Sequence, residues 1–225
     1  MNRFVISDIH GAHKALKQCL QRANFNNDID LLICLGDTAD GYPDVKKCFT
    51  ELIKVKNMIY ILGNHDSYLY QFFETKVIIR DWLFMSGRSS LLSYKEKVNQ
   101  THLKFMRKAK LYHEMDDMLF VHAGFDHEKP MYNQNENTLL WDGDIVCKVI
   151  CESFKPEHLT KYRKVFLGHT PTLNYKSETP IICKEFRFID TGAGYGNKLS
   201  IMNIDTDEVF QSDSTLDLYG YSARA

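Results

Sequence analysis

Six short apolar runs recur along this chain. Each is followed by a residue that can bind a hard metal ion or can support a neighbouring metal ligand. The runs and their endings are FVIS before Asp8-Ile9-His10-Gly11, LLICL before Gly36-Asp37, MIYIL before Gly63-Asn64-His65-Asp66, LFV before His122-Ala123-Gly124, VFL before Gly168-His169-Thr170 and FRFI before Asp190-Thr191-Gly192. Wholly apolar runs are typical of strands that are buried on both faces. In open α/β sheets, ligands gather beyond the carboxyl ends of the strands. The six endings therefore predict one shared site and favour a metal-dependent enzyme.

The order of the elements predicts an α/β fold. Strands at 4–7, 31–35 and 58–62 alternate with two amphipathic helices, the second with Pro43 in its first turn, which indicates a covered parallel sheet. After residue 118, further strands are predicted at 118–122, 165–168, 186–190, 198–204 and 208–211, with a helix near 144–154. The later strands are short and joined by turns, so we expect antiparallel pairing in the second half.

Residues 67–117 interrupt this alternation. The segment is rich in aromatic residues, contains a Gly87-Arg88-Ser89-Ser90 turn, and includes a helix for which Thr101 is the predicted N-cap. We interpret it as a mainly helical insertion lying over the site, within a single domain of residues 1–225. Its aromatic side chains are expected to pack within the insertion, the alternative being a platform on which substrate stacks.

Composition limits the class of protein. The 225 residues carry 28 basic and 29 acidic side chains, which argues against a general nucleic-acid or membrane-surface binder. No apolar stretch is long enough to span a bilayer and no secretory signal is visible, so a cytoplasmic protein is expected. The six cysteines lack C-x-x-C pairing and are expected to be reduced, mostly buried thiols, although Cys147 and Cys151 lie one helical turn apart. The tail after Asp213 is polar and is predicted to be loosely ordered.

The residues at the strand ends suit two metal ions. Asp8 and His10 are spaced i, i+2, so both can point to one side of an extended strand. Asp37 offers a carboxylate that can bridge two cations, and the neutral ligands are Asn64, His122 and His169. Carboxylate, amide and imidazole ligands without a thiolate favour Mn²⁺, Fe or Zn²⁺. Two such ions would lower the pKa of bound water and stabilise both oxygens of an in-line phosphoryl displacement.

His65 is predicted to be a general acid instead of a ligand. It follows Asn64 directly, and neighbouring side chains of an extended chain point in opposite directions. A histidine opposite the metals can protonate a leaving alkoxide. Asp40 is the predicted partner of its other ring nitrogen, with Asp66 as the competing one. Asp190 is expected to brace the site and not to bind metal.

Read in order, these motifs resemble the calcineurin-like metallophosphoesterase superfamily, and within it the bacterial and phage members of phosphoprotein phosphatase type. The matching segments are Asp8-Ile9-His10-Gly11, Gly36-Asp37-Thr38-Ala39-Asp40, Gly63-Asn64-His65-Asp66, His122-Ala123-Gly124 and Gly168-His169-Thr170-Pro171. The resemblance implies a four-layer α/β/β/α sandwich in which two mixed sheets are flanked by helices. It also implies one metal on Asp8, His10 and Asp37, and a second on Asp37, Asn64, His122 and His169, with His65 and Asp40 as the acid pair.

The chain departs from the family pattern at both expected phosphate-binding arginines. Gly41 stands where an arginine normally follows Asp40, and the segment after Trp141 has no arginine. A planar guanidinium is the natural partner of a dianionic monoester, so these departures raise the case for a diester substrate. We hypothesise that Arg88 in the insertion partly replaces the clamp; the alternative is an exposed arginine in a turn.

The sequence thus predicts a phosphoesterase that attacks phosphorus with a metal-bound hydroxide, with Mn²⁺ as the expected ion in vitro. Its expected substrate is a phosphoprotein or a small phosphomonoester. The alternatives are a phosphodiesterase or dinucleoside polyphosphate hydrolase, whose substrate would be a nucleotide, and a phosphate-binding pseudoenzyme that has lost catalysis. No membrane partner is expected.

Overall fold

The computed structural model of the protein describes residues 1–151 and 158–224. Within them, ten strands form two five-stranded sheets. The strands of the first sheet, in chain order, are β1 (Arg3–Ile6), β2 (Leu31–Cys34), β3 (Asn57–Tyr60), β9 (Lys198–Asn203) and β10 (Val209–Ser214). Their spatial order is β10-β9-β1-β2-β3, with β1, β2 and β3 parallel and β9 antiparallel to both β1 and β10.

The second sheet is also mixed. Its strands are β4 (Tyr112–Met115), β5 (Met118–Val121), β6 (Lys164–Leu167), β7 (Ile181–Cys183) and β8 (Phe186–Phe188). They lie in the order β4-β5-β6-β8-β7, with a parallel centre and an antiparallel strand at each edge. The predicted antiparallel pairing in the second half is therefore confirmed.

Helices cover the outer faces of both sheets. They are α1 (His13–Arg22), α2 (Val45–Leu52), α3 (Asn64–Thr75), α4 (Arg80–Trp82), α5 (Arg88–Tyr94), α6 (Gln100–Met106), α7 (Glu136–Trp141), α8 (Asp144–Cys151) and α9 (Thr215–Tyr219). The helices α1 to α6 pack on the first sheet, whereas α7 and α8 pack on the second. None of the helices in the described ranges is long and apolar enough to cross a membrane.

The strands are apolar on both faces because each sheet lies between two layers. In β1, Phe4 and Ile6 pack among the helices, while Val5 packs between the sheets. The layer between the sheets also contains Phe120 and Phe166, whose rings stack at 4.8 Å with an interplanar angle of 2°. The predicted four-layer α/β/β/α sandwich is confirmed.

Two local predictions for residues 67–117 are wrong. The N-cap of α6 is Asn99, whose side chain accepts hydrogen bonds from the backbone N–H groups of Thr101 and His102. The Gly87–Ser90 segment is not a turn, because the chain bends at Ser86, where φ is 79°, and α5 begins two residues later.

The position predicted for Pro43 is also wrong. Pro43 precedes α2 and does not lie in its first turn, since Asp44 is the N-cap.

The tail is ordered over residues 214–224, so the prediction of a loose tail is wrong for this range. It forms α9, and Tyr219 stacks on the fully buried Tyr42 with ring centroids 4.4 Å apart. The tail is polar by composition, but its tyrosines provide the apolar surface that holds it. The helix predicted near 144–154 corresponds to α8 (Asp144–Cys151). Residues 152–154 of the prediction lie outside the described residues. The side chain of Cys151 is also outside them, so the structure does not test whether Cys147 and Cys151, one helical turn apart, share a soft metal ion.

The layer between the sheets should contribute strongly to stability, because its aromatic side chains are fully buried. We expect Phe166→Ala to lower the free energy of unfolding by about 3–5 kcal/mol, because it leaves a cavity against Phe120. The control is Phe84→Ala, since this ring is 78% exposed and its loss should change stability by less than about 0.5 kcal/mol. Urea unfolding followed by circular dichroism measures both. Equal destabilisation by the two substitutions would contradict a shared core between the sheets.

Candidate metal centre

The predicted residues meet where three strand ends of each sheet converge. The loop after β1 carries Asp8 and His10, the loop after β2 carries Asp37 and Asp40, and α3 begins with Asn64 and His65 after β3. From the second sheet come His122 after β5, His169 after β6 and Asp190 after β8. The side chains of Asp8, His10, Asp37, Asn64, His65 and His122 belong to residues at most 2% exposed. The site therefore lies at the carboxyl edge of both sheets.

The backbone at this edge is not extended. Five site residues have a positive φ: Asp8 at 52°, His10 at 46°, Asp37 at 50°, Asp40 at 66° and His169 at 64°. The left-handed conformation is unusual for residues other than glycine, and such positions cluster at functional sites. Asp8 and His10 thus face one site because the chain coils after β1, and not because of strand alternation as the sequence suggested.

Two groups of donor atoms share Asp37. One group is Asp8, His10 and Asp37, the other is Asp37, His122 and His169, and the donor atoms of each lie within 4.8 Å of one another. Asn64 joins the second group, with its Oδ1 2.9 Å from His122 Nε2 and 3.1 Å from His169 Nδ1. Asp37 therefore lies where a carboxylate would bridge two ions.

The two histidines at the centre are oriented by backbone carbonyl groups. His10 Nδ1 lies 3.2 Å from the Ala39 oxygen, and His122 Nδ1 lies 2.8 Å from the Leu35 oxygen. In each ring Nε2 is left to face the carboxylates, and burial lowers the pKa of both histidines. Burial also lowers the pKa of His169, to about 4. Neutral imidazoles held in this way are good metal ligands.

The carboxylates at the centre fit divalent cations. Burial, together with the nearby charges of Asp190 and Asp37, raises the pKa of Asp8 well above its ordinary value. Burial likewise raises the pKa of Asp190 to about 7. Several buried carboxylates in one place are costly unless cations lie among them. Together with neutral imidazoles and an amide oxygen, this donor set suits Mn²⁺, Fe or Zn²⁺.

His65 is paired with Asp40. His65 Nδ1 donates to Asp40 Oδ2 across 2.7 Å, and the ring stands edge-on to His10 with centroids 5.0 Å apart. Burial opposes a charged His65, but Asp37 and the bond to Asp40 outweigh it and raise its pKa. Asn64 and His65 diverge because they are consecutive residues in the first turn of α3, about 100° apart around the axis, and not because the chain is extended as predicted.

Asp66 contacts other groups. Its carboxylate accepts hydrogen bonds from the backbone N–H of Thr38, Ala39 and Gly63 and from the Tyr60 hydroxyl, at 2.8–3.2 Å. These bonds hold the loop after β2 against the start of α3. Of the two partners that the sequence left open for His65, the structure therefore selects Asp40.

Two side chains of the insertion donate hydrogen bonds to the Asp40 carboxylate. The Trp82 indole N–H donates to Asp40 Oδ2 at 2.8 Å, and Ser90 Oγ donates to Oδ1 at 2.6 Å. Trp82 is fully buried and also packs near Tyr68 and Phe72. The sequence identified it only as packing. A buried tryptophan needs a hydrogen-bond acceptor, but no spacing rule points to an acceptor 42 residues earlier.

Gly41, Trp141 and Arg88 mark the three positions that the sequence analysis considered for phosphate binding, and their surroundings differ. Gly41 has φ 80°, and a Cβ there would lie 2.8 Å from the His10 carbonyl oxygen. The Trp141 ring lies 6.4 Å from that of His169. Arg88 is exposed at the start of α5, and no described residue forms a hydrogen bond or ion pair with its side chain. Its phosphate-binding role stays a prediction.

An arginine that the sequence did not single out does reach the site. Arg224 Nη1 donates to His10 Nε2 at 3.0 Å. This residue lies in the tail that was predicted to be loosely ordered. Neither its position near the end of the sequence nor its flanking residues carry a motif, so no sequence signal identifies it.

The chain is similar to known proteins over nearly its whole length. The asymmetrical bis(5'-nucleosyl)-tetraphosphatase PrpE of Oceanobacillus iheyensis is 28% identical to it, across 87% of this chain and 86% of the relative. Serine/threonine-protein phosphatase 2 of Escherichia coli is 25% identical, across 89% of this chain and 92% of the relative. A crystal structure of a candidate diadenosine tetraphosphatase superposes with a TM-score of 0.72 over 95% of this chain and 93% of that one, at 16% identity.

The sequence profile of the calcineurin-like phosphoesterase family matches residues 1–189. This range includes five of the six strand ends and both groups of donor atoms. The sequence resemblance and the observed four-layer fold agree with this match. The chain therefore belongs to the calcineurin-like phosphoesterase family and is a metal-dependent phosphoesterase.

Proposed function

We propose that this phosphoesterase hydrolyses phosphomonoesters, of a phosphoprotein or of a small molecule, with two divalent ions. One ion would be held by Asp8, His10 and Asp37, and the other by Asp37, Asn64, His122 and His169, with Mn²⁺ as the expected ion in vitro. Ions at these positions supply a more acidic bound water and neutralise charge on the phosphoryl oxygens. The observation that carries the proposal is the His65–Asp40 pair beside the donor groups.

The acid pair favours a substrate with a basic leaving group. Asp40 accepts from His65, Trp82 and Ser90, so its carboxylate is held in one orientation and keeps Nδ1 of His65 as a donor. The raised pKa of His65, caused by Asp37 and Asp40 against the effect of burial, favours the protonated ring. Such a ring can give the proton on Nε2 to a leaving alkoxide, which would otherwise depart as a strong base. Serine and threonine esters have leaving groups of this kind.

A second candidate substrate is a dinucleoside polyphosphate. The similarity to the tetraphosphatase of Oceanobacillus iheyensis across most of both chains favours it. Gly41 supports it as well, since no side chain fits at the usual position of the first clamp arginine. The internal phosphates of such a substrate each carry a single negative charge and need less compensation than a terminal dianion.

Metal binding tests the proposed ligands. After loading with Mn²⁺ and gel filtration, the protein should retain two ions per chain by elemental analysis. Asp37→Asn should lose both, because this carboxylate belongs to both donor groups, whereas Asp81→Asn on the exposed surface should retain both. Retention of two ions by Asp37→Asn would refute the bridging role. A decayed phosphate-binding protein would hold no such pair.

The role of His65 is tested by the basicity of the leaving group. His65→Asn should keep both ions and lower kcat on phenyl phosphate by about 10²–10⁴-fold. The loss on p-nitrophenyl phosphate should be much smaller, because p-nitrophenolate is a weak base that needs little protonation. An equal loss on both esters, or loss of metal from the variant, would contradict the assignment as general acid.

A substrate panel decides between the two candidates. The Mn²⁺-loaded protein would be assayed on a phosphoserine peptide, p-nitrophenyl phosphate, its bis-ester, a cyclic nucleotide and diadenosine tetraphosphate. We expect the highest kcat/KM on a monoester. A higher value on diadenosine tetraphosphate would select the second candidate, and inertness towards every compound would overturn both.

A further inference from the structure

The guanidinium of Arg224 lies at the candidate metal centre, and within residues 1–151 and 158–224 no carboxylate forms a hydrogen bond or ion pair with it. Its Nη1 donates to His10 Nε2 at 3.0 Å, and its Cζ lies 5.0 Å from the centre of the Tyr195 ring. Within residues 1–151 and 158–224, His10 is the one group that accepts a hydrogen bond from this side chain. A half-buried guanidinium with unused donors is suited to an anion.

The tail that carries Arg224 is fixed to the protein by the residue next to Gly41. The Tyr42 hydroxyl lies 3.0 Å from Thr215 Oγ1 and 3.1 Å from the Tyr221 carbonyl oxygen, and it can bond to either. The Tyr42 ring stacks on Tyr219. At the start of the tail, Thr215 Oγ1 donates to the Ala193 oxygen at 2.7 Å. Arg224 therefore approaches the site on a docked segment.

Two glycines leave room for this approach. A Cβ on Gly194 would lie 2.8 Å from His10 Cδ2 and 3.1 Å from Arg224 Cδ. A Cβ on Gly41 would lie 2.9 Å from the Cβ of His10. The chain thus has no room for a side chain at the usual position of the family arginine, and it has room for Arg224 beside the ring of the same histidine.

The charge of Arg224 reaches several groups of the site. Burial raises the pKa of Asp190, and the positive charge of Arg224 partly offsets this rise. The same charge disfavours protonation of His10 and His65. The His10 ring that Arg224 contacts stands 5.0 Å from the His65 ring between centroids, so the guanidinium lies near the proposed acid as well as near the proposed metal ligands. This is the region that a substrate phosphate would enter.

We propose that Arg224 binds the substrate phosphate and replaces the arginine missing at position 41. The inference rests on the proposed function. His10 Nε2, which faces Asp8 at 4.0 Å and Asp37 at 3.9 Å, is also the proposed metal-binding atom. One lone pair on Nε2 cannot bind an ion and accept from Arg224 at the same time, so in the metal-loaded protein the donors of the guanidinium would be free for another acceptor. The oxygens of a substrate phosphate match the planar fork of its donors.

Inorganic phosphate is the direct probe. With the Mn²⁺-loaded full chain, Arg224→Gln should raise the dissociation constant of phosphate, measured by calorimetry, by about tenfold or more. The KM for p-nitrophenyl phosphate should rise with it, with a smaller change in kcat. Arg224→Lys should recover part of the affinity, because it keeps the charge and loses the fork. Metal content and the melting temperature should stay at wild-type values in both variants.

The matched control is Arg107→Gln, which removes an exposed arginine paired with Glu74 and should leave phosphate binding unchanged. Phosphate affinity within twofold of wild type in Arg224→Gln would overturn the inference. So would tighter Mn²⁺ binding without a change in phosphate affinity, since Arg224 would then compete with metal only. If the wild-type protein itself neither binds phosphate nor hydrolyses any ester, the proposed function fails. If wild type does both and Arg224→Gln matches it, only the assignment of Arg224 fails.

Discussion

The sharing of Asp37 between two groups of donor atoms is the constraint on which the site depends. A carboxylate this deeply buried is stable only among groups that compensate its charge. Its Oδ1 accepts from the backbone N–H of His65, and its Oδ2 lies 3.5 Å from His122 Nε2 and 3.9 Å from His10 Nε2. It thus links ligands from both sheets and the start of α3. The four-layer fold positions these ligands because it brings six strand ends to one edge of the two sheets.

The insertion and the tail contact this centre through different residues. Trp82 and Ser90 donate hydrogen bonds to Asp40, which in turn accepts one from His65, so the helical segment after α3 fixes the proposed acid pair. The tail reaches His10 through Arg224. The residues through which the two segments contact the centre, Trp82, Ser90 and Arg224, belong to none of the short motifs.

The sequence predicted the layers and the meeting point because both follow from local patterns. Strands buried on two faces are wholly apolar, as in Val5 and its neighbours, and polar residues directly after them must lie at the sheet edge. The edge strands β4 and β7 escaped prediction because both are only partly buried: β4 mixes apolar and charged residues, and β7 has only three residues. The left-handed turns at Asp8 and His10, the use of Trp82 by Asp40, and the docking of Tyr219 on Tyr42 all depend on contacts between distant residues. No period or spacing in the sequence reports those contacts.

Anomalous diffraction from crystals of the Mn²⁺-loaded protein would test the two-ion centre most directly. The account predicts two manganese peaks roughly 3.5–4 Å apart, one on each side of the Asp37 carboxylate, with His65 bound to neither. A single peak, or two peaks that do not share Asp37, would contradict it.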